Sequence, residues 1–201
     1  IVDNSGKEFP SDPWEQLRQA VLSVFESWHN PRAMEYRNYR GIPHNLGTAV
    51  NIMTMVFGNT GKESGTGVLF TRDPSTGENH VYGEYLANAQ GEDVVAGVRT
   101  PEPVSEMAIV HPEVYKRLTD LAHKLETHYR DVQDMEFTVE QGRLYLLQTR
   151  NAQRTVGAAV RVAVDMATEG LISRDEAIQR VDPEEMTRLF VPRFYSKARA
   201  D

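Results

Sequence analysis

DMEFTVEQGRLYLLQTR, residues 134–150, reads as a β-hairpin whose two arms carry different patterns. In the first arm Asp134, Glu136, Thr138 and Glu140 alternate with Met135, Phe137 and Val139, the period-two signature of a strand with one buried face. Gly142 supplies the turn. The second arm is apolar on both faces through Leu144, Tyr145, Leu146 and Leu147, then polar at Gln148, Thr149 and Arg150, so its leucines do not settle which face is buried. An odd loop turns Gln148 and Arg150 the same way as Asp134 and Glu136, whereas an even loop sends them to the opposite face. A three-residue loop ending on Gly142, a type I turn followed by a left-handed glycine, is expected, and with it a shared face.

That face has a recognisable chemistry. Side chains two apart on a strand sit roughly 6.5 to 7 Å apart, so Asp134 and Glu136 can flank divalent ions, and their hard oxygens suit Mg2+. Arg150 suits the neutralisation of a transferring phosphoryl group, and Gln148 offers an amide to phosphate or ribose oxygens. The same alternation also fits a half-buried strand whose acids are merely solvated.

Upstream, Ser11 or Asp12, Pro13 and the spacing of Leu17, Val21, Val24, Phe25 and Trp28 predict a helix that Pro31 interrupts; a second helix over 32–39 ends before Gly41 and Pro43. Residues 48–57, 67–71 and 81–86 read as strands, the last two joined by the turn DPSTGEN in an antiparallel meander. GNTGKESGTG, between the first two, invites a phosphate-loop reading but fails it. Gly61-Lys62 is followed by Glu63 rather than Ser or Thr, and a strand follows instead of a helix, so a hairpin loop is expected. An amphipathic helix over 112–129, with Val114, Leu118, Leu121 and Leu125 on one stripe, leads into the hairpin, and helices follow over 155–168, 172–181 and 183–189. The fold class is α+β, a small antiparallel sheet with flanking helices. The tail, rich in Ala and Val, reads as packing or linker.

At 201 residues the chain can form one domain or two small ones, and it has no cysteine, which excludes disulfides and thiolate metal sites and makes a reducing compartment, the cytoplasm, the expected setting. A net charge of −7 without a Lys/Arg cluster argues against nucleic-acid binding, and no apolar run or signal-type leader points to a membrane. The six histidines form no zinc-type spacing and are expected at the surface or in caps. No G-x-S-x-G elbow supports a hydrolase triad. In GEDVVAG, Glu92 follows a flexible Gln90-Gly91 and could project from a loop into a cleft, although on spacing alone a solvated loop acid is the better reading. Thr54, Met55 and Val56 lie in the first predicted strand, which is either a core strand or a pocket lining.

The hairpin resembles the end of the nucleotide-binding domain of pyruvate, phosphate dikinases, an ATP-grasp fold. Four further segments carry the likeness: SWHNPRAMEYRNYRGIPHNLGTAVNIMTMVFGN (27–59), SGTGVLFTRDPSTGE (64–78), GEYLANAQGEDVVAGVRTPEPV (83–104) and LQTRNAQRT (147–155). The resemblance implies that Asp134, Glu136 and Glu92 hold Mg2+ or shape a polyphosphate site, that Gln148 and Arg150 contact phosphate oxygens as the catalytic pair, and that backbone groups of Thr54, Met55 and Val56 meet the adenine edge. It implies ATP as substrate and phosphoryl transfer to a catalytic histidine of a later domain. It divides the chain into a helical segment (1–46), the C-terminal part of an ATP-grasp domain (47–153) and a helical connector toward a phosphohistidine domain (154–201).

The chain opens on Ile1 and ends in YSKARAD, and reads as an excised piece. By resemblance, the N-terminal ATP-grasp part and the phosphohistidine domain of the same polypeptide are its missing partners. The piece alone is then expected to be at most a weak nucleotide binder, and the parent a homodimer. Two alternatives stay open: the same half-domain of a phosphoenolpyruvate synthase or another dikinase, and a non-catalytic structural module. AQGEDVVAGVRTP and LQTRNAQRT favour the phosphate-dependent enzymes, since synthases resemble QARPET at the latter point.

Overall fold

The structure is a computed structural model that describes residues 9–95 and 99–187. The chain divides into two compact units, Ile1–Met55 and Val56–Asp201. In the first, helix α1 (Pro13–Ser27) starts where the Asp12 carboxylate accepts from the Trp14 N–H and Pro13 occupies the first turn. Helix α2 (Pro31–Arg40) starts in the same way, with Asn30 accepting from Arg32, and ends on Gly41, whose φ of 64° is the left-handed cap. Arg37 is buried, its guanidinium carbon 4.0 Å from the centre of the Trp28 ring and its Nε donating to His44 Nδ1 at 3.0 Å.

Residues 48–57 form no strand, contrary to expectation. Their β-prone side chains have no ladder to join: Ile52, Met53 and Met55 are each 68 % exposed. Strand propensity is a preference for a half-buried pleated surface and does not act without one. With that strand gone, GNTGKESGTG is not a hairpin loop. It serves as a brace: the Gly58 carbonyl accepts from Ala89, the Gly61 N–H donates to Asn88 Oδ1, and the Glu63 carbonyl accepts from Gly142 at 2.7 Å.

The second unit is built on a five-stranded antiparallel sheet, consistent with part of an ATP-grasp domain. Strands β1 (Gly65–Phe70) and β2 (Tyr82–Ala87) form the expected meander. Helix α3 (Gly91–Val95) and the short strand β3 (Glu102–Pro103) follow, then a 3-10 turn, helix α4 (Met107–Val110) and helix α5 (Pro112–Tyr129). Strands β4 (Gln133–Glu140) and β5 (Arg143–Asn151) make the hairpin, and α6 (Val156–Thr168), α7 (Arg174–Gln179) and α8 (Pro183–Met186) complete the described chain. The strand order is β3-β2-β1-β4-β5.

One face of the sheet carries Leu69, Tyr85, Met135, Phe137 and Val139 against Val114, Leu118 and Ala122 of α5. The alternation read in the first arm therefore has a direct cause: its odd-numbered residues form this core. Tyr85 stacks on Phe137 with ring centres 6.2 Å apart. Gly67 makes room for the stack, because a Cβ there would come within 2.7 Å of the Phe137 ring and 2.4 Å of the Glu84 carbonyl. A second cluster joins Val132 and Ala152, at the open end of the hairpin, to Val162 and Met166 of α6 and to Ile172. Helix α6 is thus packed onto the unit that carries the hairpin.

Arg72 pins these layers together. It is 1 % exposed, and its Nε and Nη2 donate to Glu126 Oε1 of α5 at 3.1 and 2.8 Å. Its Nη1 and Nη2 also reach the carboxylate of Glu169, just after α6, at 3.0 and 2.5 Å. Thr71 Oγ1 donates to the other Glu126 oxygen at 2.6 Å. Burial alone would lower the Arg72 pKa, but the Glu169 and Glu126 carboxylates outweigh it and the pKa is raised.

His111 is one of the histidines found at a cap, but it is buried there. It occupies the cap position of α5 without a side-chain cap bond, is 7 % exposed, and lies edge-on to Tyr85. Burial, then the charges of Glu63 and Glu102, push the Tyr85 hydroxyl up to about 12.

Candidate functional site

The turn of the hairpin has two residues, not three. Glu140 pairs with Arg143, and both Gln141 (φ 49°) and Gly142 (φ 76°) have the positive φ that a type I′ turn needs. An even turn on its own would send Gln148 and Arg150 to the core side. A β-bulge prevents this: Phe137 pairs with Leu146, but Glu136 pairs with Gln148, so Leu147 is the extra residue. Beyond it, Asp134 lies opposite Arg150. The bulge answers the ambiguity of the second arm, because Leu144 and Leu146 pair opposite Val139 and Phe137 on the core face, while the equally even-numbered Gln148 and Arg150 face the other way. Uninterrupted alternation cannot satisfy both requirements.

Asp134, Glu136, Gln148 and Arg150 therefore share the face opposite the core. Asp134 is buried, and its Oδ2 accepts from Arg150 Nε at 2.7 Å; the Arg150 side chain is otherwise 61 % exposed. This contact, reinforced by the charge of Asp134, raises the Arg150 pKa. Gln148 is exposed and Glu136 half-buried, and the two are directly opposed.

Glu136 also lines a cleft of ≈ 490 Å³ together with Thr66, Gly67, Val68, Gly91, Glu92, Val94 and Leu147. Its walls are largely apolar, and among the described residues the carboxylates of Glu136 and Glu92 are its charged groups. Thr66 is tied down, donating to the Phe137 carbonyl at 3.0 Å and lying 3.2 Å from Thr138 Oγ1. Glu92 lies on the five-residue helix α3 rather than on the expected loop. Asp93 Oδ2 accepts from the Gln90 N–H at 2.8 Å at the start of that helix, and Gln90 Oε1 accepts from Gly58.

The structure thus gathers Glu92 and Glu136 in one cleft, with Gln148 opposite Glu136 and the Asp134–Arg150 pair two residues further along the same face. Thr54, Met55 and Val56 lie in the irregular segment, Thr54 and Met55 exposed, and none of them is among the described residues that line the cleft. Reading the sequence alone also missed Thr66, Val68, Val94 and Leu147 as cleft walls. Leu147 had no distinct signal, because it closes a run of four apolar residues, Leu144 to Leu147, in which no alternation marks the extra residue.

Among the described residues, no group of three or more His, Cys, Asp or Glu side chains is arranged to hold a metal ion. Two carboxylates on one cleft do fit Mg2+, which is commonly bound by one or two carboxylates with the remaining positions left to water and substrate phosphates. Among the described residues, no helix is long and apolar enough to cross a membrane.

Residues 12–108 and 103–171 match the family described as "Pyruvate phosphate dikinase, AMP/ATP-binding domain". The chain is similar to "Pyruvate, phosphate dikinase" of Clostridium symbiosum, 57 % identical over 190 residues, which is 94 % of this chain and 22 % of that protein. It is 51 % identical over 213 residues to the Rhizobium meliloti (strain 1021) protein of the same name, covering 100 % of this chain and 24 % of the relative. Similarity to "Pyruvate, phosphate dikinase 2" of Zea mays is 54 % over 193 residues, 96 % of this chain and 22 % of that protein. The chain spans under a quarter of the length of these relatives.

Proposed function

We propose, because this chain belongs to the pyruvate phosphate dikinase AMP/ATP-binding domain family, that the outward face of its hairpin and the adjoining cleft are the phosphate side of an ATP site. The observation that carries the reading is the bulge at Leu147, which turns Gln148 and Arg150 to the face of Asp134 and Glu136. Glu136 and Glu92 would hold Mg2+, which when bound offsets the charge of the polyphosphate. The Gln148 amide donates to a phosphate or ribose oxygen, and the Arg150 fork binds the phosphoryl group in transfer. By resemblance alone, the adenine edge falls to the backbone of Thr54, Met55 and Val56.

In the whole polypeptide this face would serve phosphoryl transfer from ATP to a histidine of another domain, within the reaction of ATP, pyruvate and phosphate to AMP, phosphoenolpyruvate and diphosphate. The names of the relatives favour this over a synthase. A cytoplasmic, homodimeric parent completes the proposal.

Calorimetric titration of Mg·ATP into the full-length polypeptide tests it. E136A is expected to weaken binding by about 10-fold to 100-fold, the loss of an interaction made to a charged group. Affinity unchanged in both E136A and E92A would remove the site from this face.

A further inference from the structure

We infer that Asp134 is the positioning residue of Arg150 and leaves the divalent cation to Glu136 and Glu92, an inference that rests on the reading of the cleft just given. The two acids of the first arm look equivalent in sequence, and the structure separates them. Asp134 is 7 % exposed and has Oδ2 committed to Arg150 Nε, and it is not among the described residues that line the cleft. Glu136 lines the cleft with Glu92. A carboxylate whose charge is already shared with a guanidinium is a poorer cation ligand than one facing an open cleft.

The geometry of the pair suits orientation. Contact through Nε grips Arg150 at the base of its fork, and no hydrogen bond of its two terminal nitrogens is present among the described residues, so the outer edge is free for two oxygens of a phosphoryl group. The strand is also locked from its other face. Gln133, 1 % exposed, donates through Nε2 to Asn151 Oδ1 at 2.9 Å and accepts at Oε1 from Thr149 Oγ1 at 3.0 Å, which fixes both neighbours of Arg150. The backbone of Arg150 is thereby held while Asp134 aims its side chain, the arrangement that keeps a recognition group in its productive geometry before ligand arrives.

The test uses D134N, E136Q, R150A and the D134N/R150A double variant in the full-length polypeptide. Mn2+ binding at saturating ADP is followed by electron paramagnetic resonance, and ADP binding by calorimetry. D134N is expected to leave Mn2+ affinity within about twofold and to weaken ADP about 10-fold, as R150A does. The double variant should be no weaker than R150A alone, because D134N, which keeps an amide oxygen as acceptor but loses the carboxylate charge, acts only through Arg150. E136Q should lower Mn2+ affinity about 10-fold or more. Should D134N fail to fold, D134S carries the same expectations. A loss of Mn2+ affinity in D134N equal to that in E136Q, or additive losses in the double variant, overturns the inference. If E136Q and R150A leave both Mn2+ and ADP binding unchanged, the cleft assignment itself fails, and the positioning role goes with it.

Discussion

Replacing Arg150 by Ala in the full-length polypeptide is expected to lower ATP-dependent turnover by about 10³-fold or more, the scale of an arginine that stabilises a phosphoryl-transfer transition state. The loss should fall more on kcat than on nucleotide affinity, because the charge the guanidinium meets grows as the phosphoryl group leaves. R150K should recover little. A lysine keeps the charge but lacks both the planar fork and the Nε hydrogen that Asp134 accepts at 2.7 Å. Single-turnover kinetics with and without the substitution separate the two contributions, and turnover within about threefold of the parent would show that Arg150 lies outside the reacting centre.

The second large effect concerns stability. Arg72→Ala is expected to destabilise the second unit by about 3–5 kcal/mol, the cost of removing one partner from a buried ion pair. Glu126 would stay 5 % exposed with Thr71 as its remaining donor, and the connection from the end of β1 through α5 to Glu169 would be cut. Denaturant unfolding with m unchanged is the measurement, and a loss below about 1 kcal/mol would mean that water reaches the pair. Acid should erode the same contribution. The Arg72 hydrogen bond, followed by its charge, holds the Glu169 pKa below the ordinary glutamate range against the opposing effect of burial. A depressed carboxylate contributes stability that is complete above its unfolded pKa and lost as pH falls through the lower folded value. The stability difference between the parent and the Arg72→Ala variant should therefore shrink as pH drops through and below the ordinary glutamate range.

These effects differ in how far the sequence alone foretells them. Helices α1, α2 and α5 are legible because their boundaries and apolar stripes are local: Asp12 with Pro13, Pro31 with Gly41, and Val114 with Leu118. The first arm of the hairpin is equally legible, since Met135, Phe137 and Val139 have a single side available to them. Residues 48–57 mislead because β-prone composition says nothing about whether a neighbouring strand exists. The common face of the four hairpin groups was expected from a three-residue loop and is produced by a two-residue turn with a bulge. The outcome agreed while the cause did not, because turn length and bulges shift alignment equally and a string of leucines distinguishes neither. The Arg72 network, spanning 97 positions from Arg72 to Glu169, had no local signal at all.

The bulge also determines which changes in length this arm can absorb. With Leu147 removed, Leu146 and Gln148 become consecutive, still opposite Phe137 and Glu136, so the continuous ladder keeps Asp134 against Arg150 and loses only local twist and one cleft wall. Loss of Gln141 has the contrary effect: the turn must draw in Glu140, and Leu144 and Leu146 are turned outward. Full-length polypeptides one residue shorter at Leu147 should therefore still bind nucleotide by calorimetry, whereas those one residue shorter at Gln141 should not. The arm is tolerant of subtraction at the point where it is irregular and intolerant where it is regular.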